Sequence, residues 1–257
     1  MNRKEAPIGI MDSGVGGVSV LREIVRLMPE EDCIYYGDCA NAPYGTKTPQ
    51  EVRDLTFQAV RVLLEHGVKA IVIACNTATS AAISALREYY RDIPVIGIEP
   101  ALKPAAEEHA GSRILVMATP MTLKEEKFHH LMEHYSGQTQ ILPVSSEGLM
   151  EFVEKGILDG PELESFLRRL LLPYLPADSI VLGCTHYPFV KKIIARVAGQ
   201  GTRILDGGAG TAREVKRRLE AENLRRDTGS GGQIVFYSSE DTQKMEELCR
   251  RLMKNGD

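Results

Sequence analysis

IVIACNT at residues 71–77 and IVLGCTH at residues 180–186 decide the fold of this chain. Each stretch is an apolar strand followed by a small residue, a cysteine and polar residues that suit the start of a helix. A second pair, GIMDS at residues 9–13 and LVMAT at residues 115–119, repeats at nearly the same spacing. The two repeats favour two related α/β halves, although strand-to-helix turns resemble one another in any α/β protein.

Apolar, β-branched runs recur outside these stretches, with helical patterns between them. The segment Thr48–Glu51 is a capping box with proline at the first helical position, and Gly67 ends the apolar helical face that follows. Strands that alternate with helices predict βαβ units and a largely parallel sheet. The predicted strands are Ile8–Met11, Cys33–Tyr36, Ala70–Ala74, Val95–Ile98, Arg113–Met117, Ser179–Leu182, Arg203–Leu205 and Ile234–Tyr237, the last preceded by a loop at Gly229–Gly232.

Composition excludes several classes of protein. The 257 residues include 31 Lys+Arg against 35 Asp+Glu, and 43% are apolar, as in an ordinary globular protein. With no basic excess, nucleic-acid binding is not expected, and no apolar run approaches the roughly 18 residues that span a membrane. The odd number of cysteines and the absence of a secretory signal predict a cytoplasmic protein with reduced thiols.

Polar residues cluster where predicted strands end, which is where open α/β sheets bind ligands. The unpaired backbone N–H groups of the helices that follow suit an anion. The glycine-rich loop is not a dinucleotide fingerprint, because Ser19 stands where its last glycine would be, and its glycines are expected to serve a tight turn with positive φ. The strand-end segments are Asp12–Gly17, Asp38–Gly45, Cys75–Thr77, Thr119 and Cys184–His186.

Cys75 and Cys184 occupy equivalent turns, and three interpretations of the pair stay open. A disulfide would require Cα atoms within about 7 Å. A metal site could use both cysteines with His186, but no CxxC or HxxxH spacing strengthens it. A symmetric acid/base pair would place one sulfur on each wall of a cleft, so that one removes a proton from a carbon while the other delivers a proton to its opposite face.

These motifs resemble those of the glutamate racemases, within the cofactor-independent aspartate/glutamate racemase superfamily. The resemblance extends over nearly the whole chain and implies an α/β fold of two pseudo-symmetric three-layer domains, with largely parallel sheets and an interdomain active-site cleft. The first domain would comprise residues 1–97 and 208–257, and the second residues 98–207. The motifs that carry the resemblance are Asp12–Gly17, Asp38 with Pro43–Gly45, Ala74–Ala78 and Gly183–Pro188.

The resemblance also implies roles for individual residues. Cys75 would act on the D-enantiomer and Cys184 on the L-enantiomer as the catalytic acid/base pair. Asp12 and His186 match residues thought to assist the thiols, and Glu154 matches a further glutamate near the second cysteine. The implied substrate-binding positions are Asp12, Ser13, Pro43, Tyr44, Gly45, Asn76, Thr77, Thr119, Thr185 and His186.

The implied function is the interconversion of L- and D-glutamate without cofactor or metal, supplying D-glutamate for peptidoglycan synthesis and cell shape. Glutamate is the expected partner, the expected assembly is a homodimer, and neither nucleic acid nor membrane is expected to bind. His129, His130 and His134 suggest a metal cluster, but no carboxylate or cysteine completes the set.

Departures from the family pattern leave a paralogue with altered substrate choice open. Ser146-Glu147 stands where Cys-Pro is frequent, Thr79 replaces a common serine, and Asp206-Gly207-Gly208 replaces a usual Asp-Ser. Two other classes also stay open: a module that binds an amino acid in the same cleft without using thiols, and a redox protein that cycles a Cys75–Cys184 disulfide.

Overall fold

The computed structural model describes residues 3–107, 111–124, 126–137, 139–226 and 231–254. Part of the loop expected at 229–232 lies outside these ranges. Every strand pair in the described residues is parallel, which confirms the predicted sheet type. The strands are β1 (Ile8–Asp12), β2 (Cys33–Gly37), β3 (Ala70–Ile73), β4 (Val95–Gly97), β5 (Arg113–Ala118), β6 (Gln140–Ser145), β7 (Ser179–Leu182), β8 (Arg203–Asp206) and β9 (Ile234–Ser238).

Two sheets share one strand order. The first runs β4-β3-β1-β2-β9 and the second β8-β7-β5-β6. Apart from the additional β9, each strand of the first sheet therefore has a counterpart in the second. The strand before Cys75 matches the strand before Cys184, and β1 matches β5, so the repeats in the sequence fall on equivalent strands and the pseudo-symmetry is confirmed.

Helices cover both faces of each sheet. α1, α10 and α11 lie on one face of the first sheet, and α2 and α3 on the other. One apolar core continues from the α1 side of the first sheet to the α7, α8 and α9 side of the second. The helices are α1 (Val18–Leu27), α2 (Pro49–Glu65), α3 (Asn76–Tyr89), α4 (Leu102–Ala106), α5 (Pro120–Lys124), α6 (Glu126–Ser136), α7 (Leu149–Glu154), α8 (Pro161–Leu171), α9 (Lys191–Ala198), α10 (Gly208–Ala221) and α11 (Thr242–Lys254).

Local sequence signals explain several of these boundaries. α2 begins with the predicted capping box, in which Thr48 and Glu51 bond each other's backbone N–H groups. It ends before Gly67, which has φ +70°. These contacts satisfy amide groups that a helix end otherwise leaves unpaired.

Strand β6 is absent from the prediction. It contains Pro143, which cannot donate a backbone hydrogen bond and so weakens the strand signal. The structure accommodates this proline because β6 is an edge strand that pairs only with β5. Within the described ranges no helix combines the length and apolarity needed to cross a membrane.

Candidate active site

A small cavity lies where the carboxyl ends of strands from both sheets meet. Ten of the residues expected at the site line it, and Met150 of α7 is an additional one. A methionine on an amphipathic helix resembles a core residue, so no signal in the sequence distinguishes it. The residues lining the cavity are Ser13, Tyr44, Gly45, Cys75, Asn76, Thr77, Thr119, Met150, Cys184, Thr185 and His186.

Cys75 is the N-cap of α3 and a buried side chain. Its Sγ accepts the Ala78 N–H at 3.4 Å and lies 3.5 Å from the Ser13 hydroxyl. Burial and the nearby Asp12 carboxylate nevertheless raise the pKa of Cys75 to about 12. Cys75 is therefore a neutral thiol at neutral pH.

Cys184 has different partners. Its Sγ lies 3.6 Å from His186 Nδ1, and His186 Nε2 lies 2.7 Å from Glu154 Oε1. Burial opposes the charge on His186, but its interactions with Cys184 and Glu154 outweigh burial and raise the pKa of His186 well above 6.5. Burial would also raise the pKa of Glu154, but His186 outweighs it and lowers the pKa below 4.5. The pair is therefore an imidazolium beside a carboxylate, and the imidazolium faces the sulfur.

Asp12 lies behind the cavity wall and joins the two halves. Its carboxylate accepts the Gly14 N–H at 2.9 Å and the Thr185 hydroxyl at 3.0 Å. Burial raises the pKa of Asp12 above 3.8, against the charge of His186 and both hydrogen bonds. No hydrogen bond joins Asp12 to Cys75 in the part of the chain described. Its expected assistance to that thiol is therefore not a direct hydrogen bond.

The glycine loop has a different purpose from the one expected. None of its glycines, Gly14, Gly16 or Gly17, has positive φ, so the expectation of positive φ is wrong, although the loop does turn, with the Val18 N–H donating to the Val15 carbonyl. A Cβ on Gly14 would collide with Glu154, and one on Gly16 would collide with His186. Gly14 and Gly16 are required because residues of the second half approach the loop closely, whereas a Cβ on Gly17 would lie 2.7 Å from Asp12 Cβ of the first half. Glu154 Oε1 also accepts the Val15 N–H at 3.1 Å, so one oxygen binds both halves.

Tyr44 and Gly45 reach the cavity from the loop after β2. The Tyr44 hydroxyl donates to Asp38 Oδ2 at 2.6 Å, and burial together with that carboxylate raises the pKa of Tyr44. The hydroxyl therefore stays protonated. Pro43 precedes this turn but does not line the cavity, and Glu154 also lies behind the lining residues.

Asn76 is the least satisfied polar side chain of the site. Both its amide nitrogen and its amide oxygen are buried, and neither has a hydrogen-bond partner. An unpartnered buried amide is costly, and a bound ligand with complementary polar atoms removes that cost. The adjacent Thr77 hydroxyl lies 3.1 Å from that of Thr119, across the cavity edge.

The other cysteines are not part of the cavity. Burial raises the pKa of Cys33 to about 12 and that of Cys39 to about 11, so both are neutral thiols at neutral pH. Cys249 is buried in α11, and all five cysteines are free. No set of three or more potential metal ligands occurs among the residues described, where His129, His130 and His134 lie on α6.

Known proteins resemble this chain over nearly its full length. The glutamate racemase of Clostridium perfringens is 52% identical over 253 residues, covering 98% of this chain and 97% of that protein. The Escherichia coli glutamate racemase solved with L-glutamate and the activator UDP-MurNAc-ala is 33% identical, with a TM-score of 0.86 and coverage of 98% and 96%. The Francisella tularensis glutamate racemase solved with D-glutamate is 25% identical, with a TM-score of 0.85 and coverage of 98% and 95%.

A family model described as Asp/Glu/Hydantoin racemase matches residues 8–215. The match includes both cysteine turns, the glycine loop and every residue that lines the cavity. This chain is an enzyme of the Asp/Glu/hydantoin racemase family.

Proposed function

We propose that the chain is a glutamate racemase that interconverts L- and D-glutamate by two-base proton transfer between Cys75 and Cys184. One observation carries the proposal: two cysteines from equivalent strand ends face a single cavity with unlike partners. A racemase of this kind needs one base and one acid on opposite sides of the α-carbon. Relatives of this chain are glutamate racemases, and two solved neighbours hold L- and D-glutamate.

The two sulfurs have unlike partners, since His186 Nδ1 lies 3.6 Å from the Cys184 sulfur, while burial keeps Cys75 protonated. We propose a Cys184 thiolate and a Cys75 thiol as the resting state. With L-glutamate bound, the Cys184 thiolate removes the α-proton and the Cys75 thiol delivers its own proton to the opposite face. After D-glutamate leaves, the Cys75 thiolate and Cys184 thiol exchange protons with solvent to restore the resting state. The reverse reaction begins from the opposite pair of protonation states.

The site must also stabilise a developing carbanion. A turnover of about 10 s⁻¹ allows a barrier of about 16 kcal/mol, which a thiolate alone does not reach with so weak a carbon acid. Donors held in place before the reaction lower such a barrier by stabilising charge on the α-carboxylate. The Asn76 amide, which is buried at the cavity without a hydrogen-bond partner, is a donor of this kind.

The wider biological role follows from this activity. D-glutamate would supply peptidoglycan synthesis and so support cell shape, and the enzyme would act in the cytoplasm as a homodimer without cofactor. We place the domain boundaries at residues 1–97 with 208–257 and at 98–207. The composition of the sheets supports this division, because β1–β4 and β9 form one sheet and β5–β8 the other.

Circular dichroism of L-glutamate over time tests the proposal. The purified wild type should bring the signal to zero as the racemate forms, and D-glutamate should reach the same end point from the opposite sign. L-aspartate serves as the parallel substrate. An unchanged glutamate signal with decay of the aspartate signal would replace glutamate by aspartate as the substrate, and no decay with either would refute the racemase activity.

A further inference from the structure

Three threonine hydroxyls form a closed triangle at the edge of the cavity. Thr77 Oγ1 lies 3.1 Å from Thr119 Oγ1 and 3.2 Å from Thr122 Oγ1, and the latter two are 2.9 Å apart. Thr77 lies in the first turn of α3 beside the first sheet, whereas Thr119 and Thr122 follow β5 of the second. The triangle therefore joins the two halves at the site.

The members of the triangle differ in their access to the cavity. Thr77 and Thr119 line it, whereas Thr122 is buried and does not. Thr119 is further fixed by Gly45, where an added Cβ would lie 2.8 Å from Thr119 Cβ, and by the Thr122 N–H, which donates to its hydroxyl at 3.2 Å. Thr122 thus holds Thr119 through both its backbone and its side chain.

Hydrogen-bond donors in the triangle are limited. Three hydroxyls carry three hydrogens, and the three sides of the triangle use all of them. A carboxylate bound by Thr77 and Thr119 would require both hydrogens to turn into the cavity. Only the hydroxyl hydrogen of Thr122 then remains within the triangle, and it can bond the hydroxyl oxygen of Thr77 or of Thr119.

We propose that Thr122 is a positioning residue for substrate binding, an inference that rests on the proposed glutamate racemase function. It keeps the oxygens of Thr77 and Thr119 in place while their hydrogens turn toward a substrate carboxylate. Its hydroxyl does not touch the substrate. This binding is equally strong in the ground state and the transition state, so its loss raises KM and leaves kcat almost unchanged.

The test compares variants of Thr122 in the racemisation assay. Thr122→Val keeps the shape and removes the hydroxyl, and Thr122→Ala provides a second deletion if the valine variant folds poorly. Loss of one net hydrogen bond is expected to raise KM about fivefold for both enantiomers, with kcat within about twofold of wild type. Thr122→Ser retains the hydroxyl and should restore KM.

Thr56→Val is a matched control because Thr56 is also fully buried, but it bonds the Val52 carbonyl of its own helix. Its KM should equal that of the wild type. An unchanged KM in both deletion variants, or equal defects in the serine and valine variants, would overturn the role of Thr122 while wild-type racemisation still supports the proposed function. Absence of racemisation by the wild type would overturn the function and this inference together.

Discussion

The two cysteine turns have the same place in equivalent sheets but different electrostatic surroundings. Cys75 caps a 14-residue helix, and burial together with the Asp12 carboxylate keeps its sulfur protonated. Cys184 precedes a short 3-10 helix and lies beside the imidazolium–carboxylate pair of His186 and Glu154. Repeated backbone geometry therefore supplies the symmetric positions, and local substitutions give the two sulfurs unlike neighbours. Substitutions at the two cysteines and at their neighbours test the importance of this difference.

Removal of either sulfur should have the largest effect. Cys75→Ala and Cys184→Ala each delete one of the two proton-transfer groups, and racemisation should fall at least about a thousandfold in both directions. Circular dichroism with each enantiomer measures the loss. Cys39→Ala is the control, since Cys39 is half-buried outside the cavity, and it should remain close to wild type. Near-normal racemisation by either cavity variant would contradict the two-base mechanism.

Gly16→Ala should move the turn that carries Cys184 away from the turn that carries Cys75, without changing any side chain in either turn. The new Cβ would collide with His186 and lie 2.6 Å from Thr185 Oγ1, and both side chains are buried and hydrogen-bonded. A displacement of about 1 Å at the second turn should lower kcat/KM about a hundredfold. Gly210→Ala is the matched control because its nearest atom, on Arg213, lies 3.9 Å away. Equal activity in the two variants would show that the close approach is not required.

Glu154→Gln weakens the electrostatic difference between the surroundings of Cys184 and those of Cys75. The pKa of His186 should fall once the carboxylate is removed, and kcat/KM should fall about tenfold through loss of a hydrogen bond between charged groups. The reduction should be equal for both enantiomers, because the equilibrium constant between them is fixed at unity. Steady-state kinetics with each enantiomer checks this, and an unchanged kcat/KM would show that the pair does not assist catalysis.

The effect of Glu154→Gln on the free energy of unfolding should depend on pH. The raised pKa of His186 stabilises the fold fully below its usual 6.5, and this stabilisation is lost as pH rises through the folded-state value. The lowered pKa of Glu154 stabilises above 4.5, and this is lost as pH falls through its folded-state value. The difference in free energy of unfolding between wild type and Glu154→Gln should therefore be greatest between 4.5 and 6.5. Urea unfolding across pH measures it, and a flat difference would contradict the ion pair.

The strands that carry the cysteines and their polar neighbours were predictable, because short apolar runs with regular spacing dominate the choice of secondary structure. Pro143 concealed β6, since tolerance of a proline depends on the edge position of the strand, which local sequence does not encode. The glycine loop was located correctly but explained wrongly. Its requirement for glycine at positions 14 and 16 arises from Glu154 and His186, which are distant in sequence and approach only in the folded chain.

The residues that line the cavity were also only partly predictable from the sequence. Met150 and Thr122 lacked any local signal, whereas Asp12, Pro43 and Glu154 were expected at the site and lie behind the lining residues. Sequence motifs identify the neighbourhood of a site. Which side chain reaches the cavity depends on how the two halves pack.

Racemisation of L-glutamate in D₂O tests the central claim most directly. If Cys184 removes the proton and Cys75 delivers another from the opposite side, the first D-glutamate formed carries deuterium at the α-carbon while the remaining L-glutamate stays unlabelled. Proton NMR or mass spectrometry of the separated enantiomers at low conversion measures both. D-glutamate that retains the substrate proton, or equal early labelling of both enantiomers, would indicate a single base and contradict the account.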